Sequence, residues 1–276
     1  MTPTTADDLE AIVTGAGAGP DAVKDPDVRR AIEETIARLD RGELRMAEKQ
    51  GGEWKVNGWT QLAISQYFRI PQMETIRSGA FEYHDKLPLK RDLAKQGIRV
   101  VPGGIVRYGA HLEPGVVMMP SFVNIGAYVG TGTLIDTWAT VGSGGQVGRN
   151  VHLAGGAGIG GVLEPAGARP VIVEDGAFIG SRCILVEGVI VEEGAVLAAN
   201  VSLTGSTHII DVTKNPAVTY KGRVPARSIV VPGTRTRAFP GGDYQIACAL
   251  IIGERSERTE QKVALMEAAR EFGVSL

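Results

Sequence analysis

Aliphatic residues recur at every sixth position in the middle of this chain: Val123, Val129, Ile135, Val141, Val147, Leu153 and Ile159. After one break the beat resumes at Val173, Ile179, Leu185, Val191, Leu197 and Leu203. Four positions after these aliphatics stands a residue that is usually small, as at Ala127, Thr133, Ala139, Gly145, Ala157, Ala177, Cys183 and Ala195. A period of six matches neither a helix at 3.6 nor a simple strand at 2. It suits a triangular solenoid, in which each hexad supplies one short strand and one turn and three hexads close a coil. The aliphatic fills the interior, the small residue lets the next corner close, and glycines such as Gly126, Gly130, Gly142, Gly148 and Gly160 serve the turns. A glycine-rich sandwich with evenly spaced strands would not hold one phase over seven repeats and regain it for six more. The expected fold class is therefore mainly β, a hexapeptide-repeat parallel β-helix. Val106, Leu112 and Met118 precede one hexad shortened by a residue, which makes ten hexads before the break and six after it. That is about five coils at three hexads each.

The flanks differ in composition and set the expected domains. Residues 1–100 read as a small, mainly helical domain across one end of the solenoid. It holds a helix around residues 6–13, a capped helix from Asp25 and Pro26 to Gly42, a hairpin over 44–56 turning at Gly51 and Gly52, and a helix with Trp59, Leu62, Ala63 and Tyr67 on one side. A further short helix is expected near 90–96. The solenoid runs over 101–206, with an external loop near 163–170 where the phase breaks; such loops often carry function. Residues 207–276 form an extension that covers the open last coil. It reads as strands over 209–213, 220–224, 228–231 and 245–252, then an amphipathic helix over 254–272 with Val263, Leu265, Met266, Ala269 and Phe272 inward, stopped by Gly273.

Bulk properties narrow the class of function. A formal net charge of -2 gives no electrostatic case for nucleic acid as a partner. No apolar run reaches transmembrane length, and the start, MTPTTADDLE, lacks the features of a signal peptide, so the expected compartment is the cytoplasm. Cys183 and Cys248 are too few for a disulfide framework, and Cys183 falls at a small inward position where a buried, inert thiol is expected.

The stretches 123–129 (VNIGAYV), 134–142 (LIDTWATVG) and 150–165 (NVHLAGGAGIGGVLEP) resemble the tetrahydrodipicolinate N-succinyltransferases. So do 44–49 (LRMAEK), 59–70, 98–102 (IRVVP) and 222–225 (GRVP), and the resemblance runs through most of the chain in the same order. It implies a left-handed parallel β-helix working as a homotrimer, with active sites between neighbouring coils. It also implies transfer of succinyl from succinyl-CoA to the amino group of ring-opened tetrahydrodipicolinate (L-2-amino-6-oxopimelate), in diaminopimelate and lysine synthesis. No metal is implied.

Site residues follow from this resemblance, each beside a plainer alternative. Asp136 matches an aspartate that contacts the substrate amine and can orient it or take its proton; otherwise it is a turn aspartate. Arg99 matches a substrate-binding arginine, suited to one of the acceptor's two carboxylates; otherwise it is a surface cation. Trp138 stands beside Asp136, and Arg182 on a coil corner is a second carboxylate candidate. Gly155 and Gly156 leave room for a pantetheine arm, or simply serve turns, and the Gly161 amide matches the presumed oxyanion donor. Lys221, Arg223 and Arg227 are candidates for the coenzyme phosphates, or a solvated face. One departure stands out: Ile184 occupies a position where many members carry a glutamate proposed as acid/base partner. Either Asp136 and water suffice, or Glu187 at the next corner does related work. Other hexapeptide acyltransferases use a histidine base, and His152 points outward near the glycine stretch, where a satisfied structural histidine is the plainer reading. His84, His111 and His208 are isolated and lack the three-histidine geometry of a zinc-dependent γ-class carbonic anhydrase. The competing functions are an N-acetyltransferase using acetyl-CoA on the same acceptor and a non-catalytic solenoid.

Overall fold

A computed structural model describes residues 5–165, 167–256, 261–271 and 273 of the chain. From Arg99 onward each hexad lays down a two-residue strand, and each strand pairs in parallel with the one three hexads on. Leu134 thus lies beside His152, Thr140 beside Gly158 and Tyr128 beside Gln146. Three mainly parallel sheets result, visited in rotation, as a β-helix requires. Face 1 carries Met118, Ile135, Leu153, Ile179 and Leu197; face 2 carries Val123, Val141, Ile159, Leu185 and Leu203; face 3 carries Leu112, Val129, Val147, Val173 and Val191. All of these inward aliphatics are buried in one continuous core, together with the small residues four positions later. Cys183 is wholly buried there, its Sγ 3.0 Å from the Ala198 carbonyl oxygen, and burial pushes its thiol up to about 12.

The N-terminal region packs helices α1 (Ala6–Ala16), α2 (Pro26–Arg41) and α3 (Gly58–Tyr67) around Leu9, Ile32, Ile36, Met46 and Ile64. Asp25 caps α2 by accepting from the Asp27 amide at 2.8 Å, and Gly42 ends the helix in the left-handed conformation (φ 77°). The expected helix near 90–96 is absent. Lys90 is drawn inward to a 2.9 Å ion pair with Asp40, and Asp92 takes φ 56°, so residues 93–97 form turns instead. An antiparallel hairpin of Glu74–Ser78 with Phe81–Asp85 was not foreseen, because it is exposed on both sides and carries no alternating pattern.

The Ala47–Gln50/Glu53–Val56 hairpin docks this region on face 3. Glu174 accepts hydrogen bonds from Trp54 Nε1 at 2.7 Å and Lys49 Nζ at 2.9 Å. Arg45 donates to Gln146 and stacks over the Tyr128 ring, 3.6 Å from its centroid. The external loop leaves the coil after Ile159 and returns at Ile172, tied to α3 by the buried Gln61, which donates to the Ala168 carbonyl at 2.6 Å and accepts from the Gly167 amide.

Beyond 206 the hexad pattern fades because a hairpin of His208–Asp211 with Val218–Lys221 interrupts it. Gly222, at φ 65°, separates the latter strand from Arg223–Val224, so 220–224 is not one strand as expected. The coil then resumes: Arg223–Val224 stacks on face 3 and Ile229 and Val230 stack on face 1. The strands Ser228–Phe239 and Gly242–Glu254 form an antiparallel arm longer than the sequence suggested. Helix α4 (Gln261–Glu271) covers the upper part of face 1, with Ala264, Leu265 and Ala268 buried against Phe178, Val196 and Ile229. Met266 faces outward instead, about 100° around the helix from Leu265. Phe272 and the Val263 side chain lie outside the described residues. Among the described residues neither flank buries face 2: its outward residues Ile105, Phe122 and Gly158 are half-buried and Thr140, Ile184 and Ser202 exposed. No helix among the described residues is long and apolar enough to cross a membrane.

Two outcomes test this packing. Ile179→Ala should cost about 2–5 kcal/mol in denaturant unfolding, and Ser202→Ala on the outward side less than about 0.5 kcal/mol. Burial alone would raise the Glu174 carboxyl, but the hydrogen bonds from Trp54 and Lys49 outweigh it and hold the group below the usual carboxylate range. A depressed folded value stabilises above the unfolded value, roughly 4.3 for glutamate, and the gain is lost as pH falls through the folded value. Glu174→Gln should therefore lower Tm at pH 7, and the gap to wild type should close in acid; an equal gap at both pH values contradicts the pairing.

Candidate active site

Because a coil is closed by three hexads, residues of neighbouring coils stack into columns, and the columns decide which side chains meet. The corner between faces 1 and 2 collects several of the residues singled out from the sequence. The Trp138 amide donates to Pro120 O at 2.7 Å, the Gly156 amide to Thr137 O at 2.9 Å, and the Arg182 amide to Gly155 O at 3.0 Å. Asp136, Trp138, Gly155, Gly156 and Arg182 thus form one ladder. Gly156 adopts φ 71°, which glycine takes without strain, while Trp138 and Arg182 hold φ 61° and 60° at equivalent corners. Asn150, Glu187, Asn200 and Arg227 hold the same conformation at other corners, and the Trp138 indole is 76% exposed.

Asp136 follows the strand Leu134–Ile135 and is half-buried. Its Oδ1 accepts from the Thr137 amide at 2.6 Å and hydroxyl at 3.3 Å, as a turn aspartate does. Its Oδ2 accepts no hydrogen bond among the described residues and lies 3.7 Å from His152 Nε2. Arg99 starts the same outward column of face 1, with Val117 and Leu134 between it and His152. That places it two strands below Leu134, roughly 10 Å at the usual strand spacing. It forms no ion pair among the described residues.

The corner between faces 2 and 3 holds a second group. The coils approach so closely there that a Cβ on Gly142 would lie 2.2 Å from the Gly161 nitrogen, and one on Gly161 would lie 2.5 Å from the Ser143 nitrogen. Gly161 is exposed, and its amide donates to no group among the described residues. Glu187, at φ 55°, accepts from the Gly205 amide at 3.2 Å on this corner. Face 2 separates the group from Asp136, so within one chain the two sets stand on the order of 15 Å apart. Ile184 lies on that face with its side chain exposed.

The three cations expected at the coenzyme phosphates are elsewhere again. Arg223, on face 3, pairs with Glu192 at 2.9 Å, and Arg227 donates to the Arg255 carbonyl from Nε at 3.0 Å and Nη2 at 2.6 Å. Lys221 is exposed at the end of its hairpin strand. One chain therefore gathers Asp136, Trp138, Gly155, Gly156 and Arg182, aligns Arg99 with them, and holds Gly161 with Glu187 and the three cations apart. Among the described residues no group of three His, Cys, Asp or Glu could hold a metal ion.

Sequence reasoning set His152 aside as structural, yet its Nε2 is buried without a hydrogen-bond partner beside Asp136. The 18-residue coil step that stacks His152 on Leu134 was the available signal.

Residues 14–70 match a family model described as tetrahydrodipicolinate N-succinyltransferase N-terminal, and residues 170–205 one described as hexapeptide repeat of succinyl-transferase. The chain is 48% identical over 245 residues to a 2,3,4,5-tetrahydropyridine-2,6-dicarboxylate N-succinyltransferase of Idiomarina loihiensis, covering 87% of this chain and 88% of the relative. A relative of the same name from Sodalis glossinidius is 44% identical over 89% of this chain and 90% of its own length. Another, from Caulobacter vibrioides, is 43% identical over 96% of both.

Whether glycine here serves the fold or a ligand can be separated. A Cβ on Gly155 would meet only Thr137 O, at an ordinary 3.5 Å, so Gly155→Ala should leave Tm within about 2 °C and raise KM for the CoA thioester severalfold. Gly161→Ala drives a methyl into backbone and should destabilise by about 1–3 kcal/mol.

Proposed function

The chain belongs to the tetrahydrodipicolinate N-succinyltransferase family, and on that premise we propose that it transfers succinyl from succinyl-CoA to the amino group of ring-opened tetrahydrodipicolinate, in diaminopimelate and lysine synthesis. The observation that carries the reading is near-complete alignment with N-succinyltransferases, in a chain whose Asp136 carboxylate stands on an uncovered corner of the coil.

The chemistry asks little beyond what these residues offer. The amine nitrogen forms a bond to the thioester carbonyl carbon, the carbon–sulfur bond breaks, and the proton lost from nitrogen ends on the departing coenzyme sulfur. Asp136 orients the amine and accepts its proton through Oδ2, the oxygen left open by Thr137. The unused Gly161 amide stabilises the oxyanion of the tetrahedral intermediate. Arg99 and Arg182 take the two acceptor carboxylates, and Trp138 walls the site. Gly155 and Gly156 pass the pantetheine arm, and the exposed Lys221 serves the phosphates, Arg223 and Arg227 being engaged by Glu192 and the Arg255 carbonyl.

Asp136 and Gly161 stand on opposite margins of face 2, which favours a site completed by a second copy. We infer a homotrimer of left-handed β-helices in which Gly161 and Glu187 approach Asp136 from the neighbouring subunit. The domain organisation we assign is 1–100, 101–206 and 207–276, the last contributing the closing strands of the coil. The enzyme acts in the cytoplasm on small molecules and needs no metal. With Ile184 where many members carry glutamate, Asp136 bears the proton transfer, with Glu187 doing related work.

A thiol-release assay with 2-aminopimelate tests the reading. Succinyl-CoA should be turned over faster than acetyl-CoA, and the reverse order reassigns the donor. Asp136→Asn should lower kcat by roughly 10²- to 10⁴-fold. Near-normal turnover would remove Asp136 from the mechanism.

A further inference from the structure

Near Asp136, His152 carries a ring nitrogen that is buried without a hydrogen-bond partner among the described residues. It opens the strand His152–Leu153 on face 1, directly above Leu134. Its ring meets Phe178 edge to face, with centroids 5.2 Å apart and planes at 84°. Phe178 is itself buried beneath α4, so the imidazole is held from behind by packed core. A structural histidine in such a place binds a backbone carbonyl or a neighbouring side chain. Instead Nε2 is buried and makes no hydrogen bond among the described residues, and such an atom carries a desolvation cost. The nearest charged atom is Asp136 Oδ2 at 3.7 Å, the oxygen that Thr137 leaves free.

We propose that His152 is a positioning residue for Asp136: an Nε2–H aimed at Oδ2 holds the carboxylate in the orientation that receives the substrate amine. At 3.7 Å the contact is too long for a hydrogen bond, and moving Oδ2 by less than about 1 Å closes it. Substrate arrival supplies the occasion, because an amine on the second lone pair of Oδ2 draws the carboxylate into one rotamer. Phe178 keeps the ring from following other partners. His152 moves no proton in this arrangement; the amine proton passes to Asp136 as before. The inference rests on the reading of Asp136 given under the proposed function.

The test compares His152→Leu and His152→Gln, alone and combined with Asp136→Asn, in the succinyl-transfer assay. His152→Leu should lower kcat roughly tenfold or more, with KM for succinyl-CoA nearly unchanged and Tm equal to or above wild type, since a buried unpaired polar atom is removed. His152→Gln, whose amide nitrogen reaches about as far as Nε2, should restore most of kcat. In the Asp136→Asn background His152→Leu should add no further loss. An unchanged kcat, an equal fold-loss with and without Asp136, or a fall in Tm with kcat and KM moving together would each overturn the proposal. Ring 15N shifts of His152 give a readout independent of catalysis. A protonated Nε2 that responds to Asp136→Asn supports the contact even if no acyl transfer is found, whereas an unresponsive ring overturns it even in an active enzyme.

Discussion

The structure depends on the register between coils. Each rung contributes only two strand residues, too few to hold a sheet by themselves, and it persists because its amides bond to the coil above while its one inward aliphatic lies in a column of others. Ile135, Leu153, Ile179 and Leu197 make one such column, 18 residues apart except across the external loop. A one-residue slip would turn every inward aliphatic outward. The same register carries outward residues into columns, so Arg99, Leu134 and His152 share one line, and Pro120, Trp138, Gly156 and Arg182 another.

Given those columns, the flanks decide which of them meet solvent. The N-terminal hairpin covers face 3 through Glu174 and Arg45, and α4 with the C-terminal arm covers the upper part of face 1. Face 2 and the lower part of face 1 remain open, and the corner between them carries Asp136, Trp138 and Arg182.

Much of this was legible before any coordinates. The inward positions, the external loop, the capped helix α2 and the buried Cys183 follow from period, spacing and capping residues, which act locally. The failures share a cause. Residues 90–96 carry a helical pattern, but Lys90 is captured by Asp40, some 50 residues away in sequence, and the helix does not form. Met266 suits an apolar face on composition, yet the direction of α4 is set by Phe178 and Ile229, which turn Ala264, Leu265 and Ala268 inward. The hairpin Glu74–Ser78/Phe81–Asp85 shows no periodicity because neither side of it is buried.

Within the site the same division holds. The repeat marks Asp136, Gly161 and Arg182 as outward corner residues, and resemblance suggests their chemistry. That Asp136 Oδ2 faces a His152 Nε2 with no hydrogen bond among the described residues, and that Arg223 and Arg227 already have partners, depend on contacts between different coils and flanks. By itself the sequence determined the coil and which way each residue points, since a six-residue period is a property of the backbone path. Only the tertiary structure decided which outward residues become neighbours and which face stays open, because those depend on where distant segments dock.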